Sequence, residues 1–212
     1  MTQAALALHT RKEPEELCER VLAVAKARLA HVIDAIDKGE LYPADALRAF
    51  GAEGAFASHL QQSGSADLRP AIAAMSAIGE TCGATAFMAW CQDTLAWYIA
   101  NSQNTALQGQ WLRPVAAGTQ LGGTGLSNPM KTFFGIEAMK LKGRKVEGGY
   151  IVKGALPWVS NLAPGHVFGT VFEREDAQDA NGMGERVMFL ADCGDPAITL
   201  HACPPFLAMD GT

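Results

Sequence analysis

Leu17, Val21, Val24, Ala25, Leu29, Val32, Ile33 and Ile36 recur at steps of three and four residues, the spacing that lines one face of an α-helix. Pro14 suits a first turn, Glu13, Glu15 and Glu16 set negative charge near the positive end of that helix's dipole, and Gly39 is a natural stop. A shorter helix is predicted from Pro43 through Leu47 and Phe50 to Gly51. Residues 55–66 have no clear period, and Ser63, Gly64 and Ser65 mark a loop. Asp67 is placed to cap a helix running to Gly79, with Leu68, Ile72, Met75 and Ile78 on one side. The stretch CGATAFMAWCQDTLAWYIANS is apolar nearly all round, which predicts a helix buried within a domain. A last helix from Thr105 to Ala117 carries Leu107, Trp111, Leu112 and Val115. Pro114 should kink or shorten it, and Gly118 should end it.

From Thr119 the period changes. Glycine becomes dense and apolar positions alternate with polar ones: Met139, Leu141 and Gly143 oppose Lys140, Lys142 and Arg144. Gly148-Gly149 separates this run from YIVKGAL, and the two read as a β-hairpin. Further strands are predicted at His166–Phe172, Arg186–Ala191 and Ala197–His201, with EREDAQDANGMGE as an exposed loop. Helices followed by strands imply an α+β arrangement, an all-helical domain over 1–118 and an antiparallel β-barrel or sandwich domain over 119–212. A β-domain stopping at CPPFLAMDGT should leave unpaired strand edges. The expectation is therefore an incomplete β-domain, in a fragment or in one half of a split protein whose partner chain supplies the rest.

Hydrophobic residues make up 49% of the 212, enough for a sizeable core. Charged residues are only 18%, which suits surface hidden against another domain, a cofactor or a subunit. A net charge of −5 gives no reason to expect nucleic acid, and the short basic run Lys140, Lys142, Arg144, Lys145 falls in the predicted hairpin as a solvated strand face. Cys18, Cys82, Cys91, Cys193 and Cys203 form no CxxC pair and fit a reducing compartment, and His9, His31, His59, His166 and His201 have no metal-ligand spacing. No signal peptide or membrane span is read from the chain, so a cytoplasmic protein is expected.

Two segments carry candidate chemistry, WLRPVAAGTQLGGTGLSNP and GGYIVKGALPWVSN. Each brings small residues and a hydroxyl to a strand end, as a flat, partly apolar cofactor requires. Ser127 and Ser160 can hydrogen-bond ring heteroatoms, glycines admit close backbone approach, and Trp158 offers a rigid aromatic face. Taken singly, Trp158 also suits a core position and each serine a turn.

In order and spacing these segments resemble the acyl-CoA dehydrogenase family. There a helix ends in a YLP.LA.G stretch followed by a Thr-Glu-Pro, where this chain has Ser127, Asn128 and Pro129. A later Y.l.G.K.WItN segment is similar to YIVKGALPWVSN, closing on Trp158, Val159, Ser160 and Asn161. The LRAFGAEG segment and the apolar helix before residue 101 also sit where the family has similar pieces. The resemblance implies non-covalent FAD. The stretch from Thr124 through Leu126 to Ser127 would meet the pyrimidine side of the ring, Trp158 and Val159 would lie beside it, and Ser160 would lie near N5. It implies α,β-dehydrogenation of an acyl-CoA or related substrate: a carboxylate takes the α-proton while a hydride passes to N5. It also implies an electron-transfer flavoprotein as possible partner, and a homo-oligomer.

Three departures qualify the resemblance. Asn128 replaces the family's acidic residue. The Gly-Ser-Asp that should follow is replaced by Met130, Lys131, Thr132, Phe133 and Phe134, leaving Thr132 to stand in for its serine. The family's glutamate base belongs to a carboxy-terminal four-helix bundle that this sequence does not contain. No catalytic residue is assigned, and Glu80, Glu137 and Glu173 are expected at the surface. The same scaffold could serve a flavin monooxygenase or oxidase, or a non-catalytic subunit of a split enzyme.

Overall fold

A computed structural model describes residues 14–60, 67–178, 182 and 184–212. The chain divides into two compact units, one of residues 1–122 with 204–212 and the other of residues 123–203. The loop expected at Ser63–Ser65 and residue His9 lie outside the described residues.

In the first unit α1 (Pro14–Leu29) buries Leu17, Val21, Ala25 and Leu29, the repeat expected of an amphipathic helix. The helix does not continue to Gly39. Ala30–Val32 forms a turn in which Val32 N–H donates to Leu29 O, and a short α2 (Ile33–Asp37) follows. Val32 and Ile33, both β-branched and weak helix formers, stand at the break. Ile36 still reaches the core, and Gly39 takes φ +70° beyond α2.

The second predicted helix is α3 (Ala44–Ala52), but Gly51 is inside it. A Cβ at Gly51 would lie 2.4 Å from the Ala117 carbonyl oxygen, so this glycine serves close approach, and Gly54 at φ +86° makes the stop. A 3-10 turn, Ala55–Ala57, buries Phe56.

Helix α4 (Arg69–Gly79) corrects the expected face. Ala71, Ala74, Ala77 and Ile78 are buried, while Leu68 and Ile72 are 51% and 55% exposed. Small side chains let helix backbones approach, and the Cys18 thiol on α1 reaches the Ala73 carbonyl on α4. Asp67 does accept from Arg69 N–H, although Leu68 stands at the cap position.

Helix α5 (Gly83–Ala100) is buried on most sides, leaving Phe87 and Trp90 exposed and stacked on each other. Helix α6 (Thr105–Ala116) is capped by Asn104, whose side chain accepts from Ala106 and Leu107 N–H. Pro114 does not cut it short; its carbonyl accepts from Thr119 and Gln120 N–H just past the helix end.

Residues 204–212 complete this unit. Asp210 N–H donates to Asp37 O and Met209 N–H to Asp37 Oδ1, both at 2.8 Å. Of the thiols, Cys82, Cys91 and Cys193 are buried, Cys18 is half-buried and Cys203 exposed, all free.

The second unit is a five-stranded sheet with a helix. Its strands are β1 (Gly122–Thr124), β2 (Lys142–Val146), β3 (Gly149–Lys153), β4 (Val167–Gln178) and β5 (Gly184–Asp192). The expected hairpin is β2–β3, with Gly143 opposite Val152 and a turn at Glu147-Gly148 where Gly148 has φ +82°. Gly149 is the first residue of β3 rather than part of the turn.

The sheet is mixed rather than purely antiparallel. β4 pairs antiparallel with β5 but parallel with β2, Lys142 lying opposite Glu173. The long connection over 154–166 lets the chain return and re-enter beside β2 in the same direction.

Two further expectations are corrected. Of the stretch 173–185, residues 173–178 lie in β4 and 184–185 in β5, and its charges support the pairing: Arg174 pairs with Asp176 along β4 and with Glu185 across on β5. Residues 197–201 form no strand; Asp192 and Asp195 side chains accept from Gly194 and Ala197 N–H, turn chemistry that overrides the apolar alternation. An unexpected helix, α7 (Ser127–Phe133), follows β1.

Candidate functional site

The two segments singled out in the sequence meet. Thr124, at the end of β1, forms an isolated antiparallel bridge with Ser160. Their approach depends on Gly123, where a Cβ would fall 2.1 Å from the Ser160 carbonyl oxygen. On the other side, Gly125 N–H donates to Gly169 O and Gly125 O accepts from the Thr170 hydroxyl, both at 2.8 Å. Leu156, Phe168 and Thr170 crowd the place a Gly125 side chain would take, each at 3.1 Å. Residues 123–125 are thus held between β4 and the 156–160 segment by a contact at Gly123 that a Cβ would block and a tight fit at Gly125.

Trp158 is 43% exposed, so it is not a core tryptophan. Val159 packs with Phe168, Ala191 and Cys193, anchoring the segment beside the exposed Trp158 and the half-buried Ser160. Leu126 is half-buried, and Ser127 is exposed at the first residue of α7. Thr132 lies apart in role: it is buried, and its hydroxyl donates to the Asn128 carbonyl at 3.0 Å.

Asn128 is a bracket. Its Nδ2 donates to Glu137 Oε1 and Ala138 O, and its Oδ1 accepts from Lys140 N–H, tying α7 to the chain entering β2. The Asn128 amide, helped by nearby Lys131 and Lys140, holds the Glu137 carboxyl below its ordinary value. Glu80 is exposed in the first unit, as expected, whereas Glu137 and Glu173 are half-buried in the second; Glu137 is held by Asn128 and Glu173 pairs with Lys142, so neither of these two is an unpaired base.

Sequence reading named Asn161 only as the end of its segment and His166 only as a strand start, and assigned neither a part in supporting this strand pair. Asn161 is 1% exposed with φ +62°, and its carbonyl lies 3.0 Å from His166 Nδ1. Asparagine tolerates the left-handed region better than most residues, which was the available signal. In the helical unit, Gln92 is fully buried: Nε2 donates to Val115 O and Gln120 O, and Oε1 accepts from Gly122 N–H. It fixes the chain where it leaves α6 for β1.

The helical unit also buries a titratable pair. His59 Nδ1 and Asp93 Oδ1 stand 3.5 Å apart, and the other ring nitrogen lies 3.2 Å from the Asp93 carbonyl. Burial pushes the Asp93 carboxyl well above, and the His59 imidazole below, their ordinary values. Burial likewise pushes the Cys91 thiol up to about 12, so it is inert. Among the described residues no group of three His, Cys, Asp or Glu side chains could hold a metal, and no helix is long and apolar enough to cross a membrane.

Residues 11–119 match the family described as acyl-CoA dehydrogenase, N-terminal domain. Among solved structures, a glutaryl-CoA dehydrogenase from Mycobacterium smegmatis in complex with FADH2 is similar at 20% identity and a TM-score of 0.75, over 98% of this chain and 52% of that one. Butyryl-CoA dehydrogenase from Megasphaera elsdenii is similar at 16% identity and a TM-score of 0.71, over 92% of this chain and 51% of that one. A structure described as PigA with FAD and proline is similar at 15% identity and a TM-score of 0.67, over 90% and 50%. The chain therefore spans about half the length of the structures it resembles, and at these identities the likeness is one of fold. No curated protein sequence gives a significant match.

Proposed function

Because the chain belongs to the acyl-CoA dehydrogenase family, we propose that its second unit forms one wall of an FAD site in an oxidoreductase of that type. The single observation carrying this reading is the Thr124–Ser160 bridge, which joins the two segments whose residue types suit a flavin. The donor set fits the group. Hydroxyls of Thr124, Ser127 and Ser160 can serve the heteroatoms of a ring edge, and the exposed Trp158 indole can lie against an aromatic plane. Bound flavin would supply hydride acceptance, the chemistry a dehydrogenation needs.

The chain's own residues then have defined tasks. Gly123 and Gly125 let the strand pack closely, so the backbones that carry the Thr124 and Ser160 hydroxyls are held side by side before any ligand arrives. Val159 roots its segment in the sheet. Such preorganisation lowers the ordering cost of binding. The substrate is a small acyl compound, an acyl-CoA or a relative of one, and an electron-transfer flavoprotein is the proposed acceptor. The α-proton base is assigned to no residue of this chain.

A second reading, a flavin monooxygenase or oxidase without a CoA substrate, is favoured by α7. It occupies the place of the family's Gly-Ser-Asp, it spends the Thr132 hydroxyl on the Asn128 carbonyl, and it is followed by Phe134, 75% exposed. Reoxidation rates of the reduced protein separate the two. Rapid turnover with electron-transfer flavoprotein and slow reaction with oxygen support the dehydrogenase; the reverse supports the alternative. The flavin site itself is tested by titrating the protein with FAD and following flavin fluorescence. Saturable quenching that weakens in Trp158→Ala supports it, and no binding by the unsubstituted protein refutes it.

A further inference from the structure

We infer that His166 is a positioning residue for the Thr124–Ser160 strand pair and, resting on the reading above, for the flavin it would contact. The segment Trp158–Ser160 ends abruptly at Asn161, whose φ of +62° turns the chain away immediately after the bridge. Asparagine enters that conformation more readily than other non-glycine residues, and a defined set of contacts then keeps it there. Here the enforcing contact is visible: His166 Nδ1 lies 3.0 Å from the Asn161 carbonyl, and both residues are buried.

A carbonyl can only accept, so Nδ1 must carry the proton, which selects the tautomer or the imidazolium. The ring's own backbone is pinned in turn. His166 N–H donates to Ala163 O at 3.0 Å, and Cys193 N–H donates to His166 O at 2.8 Å beside the β4–β5 pair. The load path therefore runs from the rigid sheet, through His166, to the Asn161 carbonyl, and from there to Ser160. Gly123, packed against the Ser160 carbonyl, closes the other side. Without the ring, the Asn161 carbonyl would lose this buried hydrogen bond and Asn161 would relax out of the left-handed region, and Ser160 would move with it.

The test compares the unsubstituted protein with His166→Ala and His166→Asn, since an asparagine Nδ2 can take the place of the ring Nδ1. Hydrogen exchange read without flavin should be about tenfold faster in His166→Ala over peptides covering 122–125 and 158–161, as expected for one lost buried hydrogen bond. Exchange across the 184–192 strand should be unchanged, and His166→Asn should restore protection. FAD affinity should follow the same order, about tenfold weaker in His166→Ala and recovered in His166→Asn.

Unchanged local exchange in His166→Ala, or protection lost equally across the whole sheet, overturns the positioning role. Failure of His166→Asn to restore protection also overturns it. Raised local exchange with unaltered FAD affinity overturns the link to the cofactor. No FAD uptake by the unsubstituted protein overturns the flavin reading as well, and is told apart because exchange is measured without the cofactor.

Discussion

Thr124 and Ser160 face each other across an isolated antiparallel bridge, with the Ser160 carbonyl oxygen only 2.1 Å from where a Cβ on Gly123 would stand. A small change at residue 123 should therefore have a large and local effect. Gly123→Ala is expected to cost about 1–3 kcal/mol, the usual range for overpacking, because the obstructing atom is backbone rather than a yielding side chain. Urea unfolding should show a lower midpoint, and FAD affinity should fall with it.

Trp158→Ala should behave in the opposite way. The indole is 43% exposed, so stability should change by less than about 1 kcal/mol, as surface substitutions usually do. FAD retention should weaken clearly, as read by equilibrium dialysis. Lowered stability with unchanged FAD affinity would make Trp158 a packing residue instead.

Gln92 serves three backbone groups at once, two carbonyls and the Gly122 N–H. Gln92→Leu keeps most of the volume but removes three hydrogen bonds, while the Val115 carbonyl keeps the one from Gly118 N–H. A loss of about 2–4 kcal/mol is expected, since each such hydrogen bond contributes roughly 0.5–1.5 kcal/mol. Thermal and urea unfolding measure it directly.

The His59–Asp93 pair makes stability depend on pH in a signed way. Burial raises the Asp93 value, so the folded state holds a proton that the unfolded chain releases. That stability is present below the ordinary carboxylate pKa, about 3.9, and is lost as pH rises through the raised folded value. His59 is shifted down, so its contribution is present above the ordinary imidazole pKa of about 6.5 and is lost as pH falls through the depressed folded value. Asp93→Asn removes the first dependence and keeps the second. Its stability relative to the unsubstituted protein should improve as pH rises above about 4, by at most about 1.4 kcal/mol per pH unit. A difference that does not vary with pH would mean that Asp93 is ionised in the fold.

Much of the fold was legible because its signals are local and periodic. The heptad-like run from Leu17 to Leu29, the all-apolar α5 and the β2–β3 alternation each announce their element. What escaped were choices settled by tertiary contact. Gly51 looks like a helix stop, but its role is the approach of Ala117. Leu68 and Ile72 look like a core face, yet α4 packs through its alanines. The charged run after Phe172 looks like a loop because the pairing of Arg174 with Glu185 across the arm cannot be read along one strand. At the candidate site, residue types pointed to Ser127, Trp158 and Ser160, and the family resemblance added Thr124. Asn161 and His166, which hold the segment from behind, give no periodic signal and became visible only with the backbone in place.

The central claim is that the Thr124–Ser160 bridge and Trp158 border a flavin, and a crystal structure of the protein grown with FAD tests it most directly. The expected result is the isoalloxazine in van der Waals contact with the Trp158 indole and within hydrogen-bond reach of the Thr124 or Ser160 hydroxyl. FAD bound elsewhere on the chain, with these three side chains untouched, would contradict it.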